Sequence, residues 1–140
     1  MKIRNLKHSD HWETPSYLYE ELNKEFSFDF DPCPIQTEIT LDSDGLLIDW
    51  GMRNFVNPPY TRKIKEQFVL RAIDFAKKGR ICVMLLPVST STKLFHDHIQ
   101  PNAKEIRFIR GRVPFIGRND VGERRKNNTG MHDSMIVVFA

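Results

Sequence analysis

An α/β sandwich on a mainly parallel sheet, with helices on both faces, is the fold class this sequence predicts. Three observations predict it. Ile81 to Leu86 is an unbroken apolar run, as a strand buried on both faces of a parallel sheet should be. Ahead of it, Ile64, Phe68, Val69, Ala72, Ile73 and Ala76 mark one face of an amphipathic helix. Strand, helix, strand, helix and strand then follow in an order that suits crossover connections. The 140 residues suit one domain, residues 1–140, with one core.

The elements follow in chain order. Tyr17, Leu18, Leu22 and Phe26 recur at helical spacing, with Thr14 as the cap and Pro15 in the first turn. Phe26 to Asp31 alternates aromatic and polar residues, a strand signal that stops at Pro32-Cys33-Pro34. Residues 35–54 are irregular, with a turn at Asp42-Ser43-Asp44-Gly45 and a short buried piece at Leu46-Leu47-Ile48. Arg53 to Val56 reads as a strand, and Gly79 closes the amphipathic helix after it. Thr92 to Ile99 is a short helix, Glu105 to Ile109 a strand, and Met135 to Phe139 the last strand. Residues 116–130, rich in Gly, Asn and Arg, read as an exposed basic loop.

Composition narrows the classes. With 40% hydrophobic and 28% charged residues, neither disorder nor a membrane span is favoured. The polar start, Met1 to Asp10, lacks the apolar centre of a signal peptide. Two cysteines, Cys33 and Cys82, make neither a metal site nor a disulfide framework, and a reducing cytoplasm is expected. Charge is divided: residues 1–60 carry 5 Lys/Arg against 11 Asp/Glu, and residues 61–140 carry 16 against 7. The basic half suits phosphates or is a solvated surface, and charge alone leaves both open.

The most informative feature is Asn57-Pro58-Pro59-Tyr60, directly after the apolar pair Phe55-Val56. Two prolines fix φ and remove donors, so the turn is stiff and rich in acceptors, with an aromatic face beside them. Such a turn suits an exocyclic amino group on a flat ring. Together with Trp12-Glu13-Thr14-Pro15, Phe28-Asp29-Phe30-Asp31-Pro32, Asp44-Gly45-Leu46, Asp49-Trp50, Leu85-Leu86-Pro87 and Gly111-Arg112-Val113-Pro114-Phe115, it resembles the phage-type DNA N6-adenine methyltransferase family. The likeness covers nearly the whole chain.

The resemblance implies a Rossmann-like methyltransferase sandwich with a C-terminal antiparallel strand, using S-adenosylmethionine as cofactor and double-stranded DNA as partner. It implies that Thr14 lies near the methionine part of the cofactor, with Trp12 a wall of the pocket or a core residue. Asp31 and Pro32 match an acidic-Pro pair beside the cofactor. Asp29 alternates with Asp31 and is not separated from it. Asp44 resembles the acid that takes the cofactor's adenine amine. The pattern departs from related enzymes at Pro32-Cys33-Pro34-Ile35-Gln36, which has no glycine.

In the implied mechanism the Asn57 side-chain oxygen and the Pro58 carbonyl accept the adenine N6 hydrogens and localise the lone pair. The flipped base stacks on Tyr60, Phe115 is a candidate for its opposite face, and no metal takes part. Arg118, Arg124, Arg125 and Lys126 are the expected DNA contacts, because Arg can read guanine edges and any of these residues can touch phosphate. The stretch Ser89-Thr90-Ser91-Thr92-Lys93 lacks the glycines of a phosphate loop and reads as a polar cap after a strand. His96 and His98 read as surface residues, since helix positions two apart do not share a face. Two other readings stay open: an inactive DNA-binding module, and a methyltransferase acting on RNA or a protein amide. The resemblance further implies a phage- or prophage-encoded protein of the host bacterial cytoplasm, monomer or homodimer.

Overall fold

The computed structural model describes residues 2–7, 10–36, 38–117, 128–129 and 132–140. A mixed four-stranded sheet is formed by β1 (Arg53–Val56), β2 (Ile81–Pro87), β3 (Glu105–Phe108) and β6 (Ser134–Phe139), in the order β1-β2-β6-β3. A separate ribbon pairs β4 (Pro114–Phe115) with β5 (Asn128–Thr129). β1 lies parallel to β2, with Val56 opposite Met84. β6 runs antiparallel to both its neighbours, with Ile136 opposite Leu85 and Val137 opposite Ile106.

The expectation of a mainly parallel sheet is therefore corrected, since two of the three ladders are antiparallel. The cause is the position of β6, which enters between β2 and β3 and runs against both. A strand's apolar pattern reads the same in either direction, so nothing local announces such an insertion.

The strand expected at Phe26 to Asp31 contracts to one parallel bridge, Phe30 with Asn54. Ser27 takes a left-handed backbone (φ 52°) to end the preceding helix, and the Asp29 carboxylate accepts the Arg53 N–H at 3.0 Å. Both features interrupt a regular ladder.

Alternation along β2 and β6 divides the core between the two faces. Cys82, Met84 and Leu86, with Met135, Val137 and Phe139, pack against α2 (Arg62–Lys77) and the π-helical segment Leu94–Ile99. Val83, Leu85, Ile136 and Val138 pack against α1 (Ser16–Phe26), so helices do cover both faces. Phe68 of α2 is fully buried, a burial that stabilises by about 1.5–3 kcal/mol. Tyr17, expected on the apolar stripe of α1, instead points to solvent at 58% exposure. The short helix α3 (Gln100–Asn102) continues the π segment, whose start is fixed by Thr92 Oγ1 accepting the Phe95 N–H at 3.2 Å.

Where α2 meets the irregular segment before β1, a close approach demands glycine. A Cβ on Gly45 would stand 1.9 Å from the Pro32 carbonyl oxygen. The Gly45 carbonyl accepts the Trp50 indole N–H at 2.7 Å and Arg71 Nε at 3.1 Å. Residues 44–50, irregular in sequence, are thus ordered by side chains bonding to backbone.

Candidate active site

β1 runs straight into the Asn57-Pro58-Pro59-Tyr60 turn, in which the first three residues are buried. The turn is held from outside by the segment 10–14. Tyr60 N–H donates to the Asp10 carbonyl at 3.0 Å, and Thr61 N–H to the Asp10 carboxylate at 2.7 Å. The Thr61 hydroxyl donates to the same carboxylate oxygen. His11 Nε2 stands 3.3 Å from the Asn57 carbonyl, which can only accept, so for this bond the ring must carry a proton on Nε2.

Asn57 itself is 5% exposed, and its amide nitrogen faces this strap. It donates to the Trp12 carbonyl at 2.5 Å and to Thr14 Oγ1 at 3.0 Å. With both N–H groups engaged, the amide plane is fixed and its oxygen is directed away from the strap. The expected N-cap role of Thr14 is corrected by the same geometry. Pro15 occupies the capping position of α1, no side chain caps it, and the Thr14 hydroxyl serves Asn57 instead.

Aromatic residues brace the far end of the turn. The Trp12 and Tyr60 rings stack with centroids 6.1 Å apart and 26° between planes. Phe115 meets Tyr60 edge-on at 6.2 Å, as does His132 at 6.3 Å. Phe115 is 2% exposed and belongs to the core, so it offers no open face and instead supports Tyr60. Burial, followed by the nearby Asp10 charge, pushes the Tyr60 phenol up to about 12 and keeps it neutral. Behind Trp12, a Cβ on Gly117 would lie 2.9 Å from the indole, and Glu13 pairs in antiparallel fashion with Ile116.

Beside the turn opens a cavity of about 310 Å³ that brings Thr14, Asp31 and Asn57 together, with Tyr19 and Phe55 as apolar wall. The Asp31 carboxylate accepts the Cys33 N–H at 2.9 Å. Burial nevertheless pushes its carboxyl up to about 6. Burial likewise pushes the Cys33 thiol up to about 12, so it stays protonated on the cavity wall.

The other expected cofactor residues lie apart. Asp29 bonds the backbone of Arg53 at the opposite end of β1 and does not share the place of Asp31. Pro32 packs against Gly45, and Trp12 stands on the Tyr60 side of the turn. Asp44, 1% exposed, accepts the Arg4 N–H at 2.8 Å and the Leu46 N–H at 2.9 Å, and lies 3.4 Å from Arg4 Nε. It lines a different cavity of about 450 Å³ together with Arg4, Leu46, Thr61 and Lys63. Arg118, Arg124, Arg125 and Lys126 fall outside the described residues, as does most of the loop 116–130. Its described start, Ile116 and Gly117, is packed on the strap rather than exposed.

Sequence reasoning missed Asp10, His11 and Arg4. Their roles come from partners 51, 46 and 40 residues away, and no local spacing marks them.

A family model described as DNA N-6-adenine-methyltransferase (Dam) matches residues 4–140. The chain is also similar to a protein of Haemophilus phage HP1 (strain HP1c1) named DNA N-6-adenine-methyltransferase. The two are 37% identical over 152 aligned positions, covering 99% of this chain and 84% of the relative. No solved structure matches.

Proposed function

The chain belongs to the DNA N-6-adenine-methyltransferase (Dam) family, and on that premise we propose that Asn57 directs methyl transfer from S-adenosylmethionine to adenine N6 in double-stranded DNA. The observation that carries the residue assignment is the orientation of the Asn57 amide. Its donors are bound inward by Trp12 and Thr14, which leaves the oxygen to accept from a substrate amine.

An adenine N6 lone pair is delocalised into the ring and attacks poorly. Asn57 Oδ1 and the Pro58 carbonyl accept the two N6 hydrogens and draw the nitrogen toward tetrahedral geometry. Tyr60, neutral and braced by Trp12 and Phe115, stacks on a base turned out of the duplex. A rigid constellation of this kind acts by positioning and by dipoles already aimed at developing charge.

The cofactor cavity fits a cationic small molecule. Its volume lies at the lower end of the range of about 300–1,000 Å³ for such sites. Burial raises the half-buried Asp31 carboxyl, and a sulfonium or ammonium beside it would favour the carboxylate form. When bound, S-adenosylmethionine supplies the electrophilic methyl group. Thr14 and Asp31 are the residues we assign to it, with Tyr19 and Phe55 excluding water. Asp44, matched by resemblance to the acid that takes the adenine amine, is buried against Arg4 and the Leu46 N–H. Trp12, Asp29 and Pro32 support the site through the strap, the start of β1 and the Gly45 contact.

A Rossmann-like sandwich is part of this reading. It is supported by β1, β2 and β3 running one way, with Phe30 bridged beside β1. Arg118, Arg124, Arg125 and Lys126 remain assigned to DNA contact on their charge. Among the described residues no helix is long and apolar enough to cross a membrane.

The test is to incubate the protein with unmethylated duplex and S-adenosylmethionine, digest the DNA, and measure N6-methyladenine by mass spectrometry. The product is expected with the wild type and lost with Asn57→Ala. Undiminished product from Asn57→Ala overturns the mechanism, and none from the wild type overturns the acceptor.

A further inference from the structure

We propose that the cleft between the first turn of α2 and the start of the π-helical segment holds a phosphodiester of the DNA substrate, gripped by Lys65 and Lys93. The cleft measures about 460 Å³. Arg62, Lys65 and Glu66 line it from α2, and Ser89, Ser91 and Lys93 from the segment after β2. Its location, chemistry and relation to the Asn57 turn each support an anion there.

Location comes first. β1 and β2 are parallel and in register, so Pro59 and Val88 leave the same end of the sheet. Ligands of open α/β sheets sit at that end. α2 starts two residues after Tyr60, and the far wall is tied back to the same place. Val88 N–H donates to the Asp133 carbonyl at 2.8 Å, and the neighbouring His132 ring meets Tyr60. A base turned out toward Tyr60 would thus have its own strand passing close to this cleft.

The chemistry is that of an anion site. Three cations and one carboxylate line the cleft, and the carboxylate, Glu66, is already bonded to Arg62 at 3.1 Å. Lys65 is half-buried, and its ammonium makes no ion pair or hydrogen bond among the described residues. Burial, the largest cause, and then Arg62 lower its ammonium below the ordinary lysine range despite the nearby Glu66 and Asp10 charges. Lys93 is exposed at the mouth. The floor, Leu86, Phe95 and Met135, is apolar, which strengthens a charge contact at its edge. Thr92 is already engaged as donor to the Ser89 carbonyl and acceptor from Phe95, so Ser89 and Ser91 are the remaining hydroxyls.

The inference deepens the reading above and rests on it. The experiment measures duplex affinity of the whole protein across a salt series, for wild type, for Lys65→Gln with Lys93→Gln, and for a control pair Lys24→Gln with Lys77→Gln. The control lysines lie in the last turns of α1 and α2. Each phosphate neutralised contributes about 0.9 to the slope of log affinity against log salt. The cleft pair is expected to flatten that slope by about 0.9, the control pair to leave it near wild type, and both to keep wild-type cofactor affinity as a check on folding. A slope equal in the wild type and the cleft pair, an equal drop in both pairs, or no duplex binding by the wild type overturns the proposal. Methylation is scored in parallel. If the wild type makes no N6-methyladenine while the cleft pair still flattens the slope, the methyltransfer reading fails and the phosphate site stands.

Discussion

Thr14 Oγ1 and the Asn57 amide nitrogen are joined by a 3.0 Å hydrogen bond across 43 residues of chain. The bond ties a residue two positions ahead of α1 to the residue that follows β1, and it sets which atom of Asn57 faces a substrate. Thr14→Val keeps the shape and removes the acceptor. A hydrogen bond of this kind is worth about 1 kcal/mol, so turnover should fall roughly fivefold. Thr14→Ser should restore it. Steady-state methylation rates for the three proteins decide the matter, and wild-type turnover in the valine variant would disconnect Thr14 from catalysis.

Asp31 should give the protein an unusual pH response. Its folded carboxyl titrates at about 6, while an unfolded aspartate titrates near 3.9. Between those values the folded state holds the extra proton, so stability of the cofactor-free protein falls as pH rises from about 4 to about 6 and then levels. Asp31→Asn removes that slope. Cofactor affinity should run the other way, rising with pH through about 6 as the carboxylate forms. Melting temperatures and calorimetric titrations over pH 4–8 test both trends, and parallel curves for wild type and variant would exclude them.

Gly45→Ala should unfold more readily in urea. The new methyl would lie 1.9 Å from the Pro32 carbonyl and 2.9 Å from the Phe68 ring, and forced overpacking costs about 1–3 kcal/mol or more. An unchanged urea midpoint would mean that the Asp44–Leu46 turn can shift freely.

Arg4→Met leaves the 1%-exposed Asp44 carboxylate without its cation. Breaking a buried pair in this way costs about 3–5 kcal/mol. Asp44→Asn paired with Arg4→Met should recover part of the loss. A denaturation cycle over the four proteins reads the coupling, and additive single effects would show that the pair is not one unit.

The sequence marked the elements better than their arrangement. Ile81 to Leu86 and the Ile64–Ala76 stripe were legible because apolar periodicity is a local property, and both elements stand where they were expected. The insertion of β6 between β2 and β3 was not, because pairing partners leave no trace in either strand's alternation. The Phe26–Asp31 alternation overstated a strand that Ser27 and Asp29 interrupt. At the site, the place of the Asn57–Tyr60 turn directly after β1 could be read locally, from the apolar pair and the two prolines. Asp10 and His11 could not, since each acts through one backbone or side-chain contact with a distant residue. Asp44 was given a cofactor role by the family resemblance and a turn role by its place before Gly45, and the long-range pairing with Arg4 that the fold adds left no mark in either.

The strap across residues 10–14 has a consequence for how the enzyme comes into being. Its bonds to positions 57, 60 and 61 span more than forty residues, so the pocket is a late product of folding. A nascent chain that has already emitted Tyr60 holds both the strap and the turn and still lacks a catalyst, because β2, against which β1 is paired, has yet to emerge and hold Asn57 in place. Methyl transfer is in that sense a certificate of completed assembly. Mild heat or denaturant that lifts the strap should silence the enzyme while the sheet beneath it remains intact.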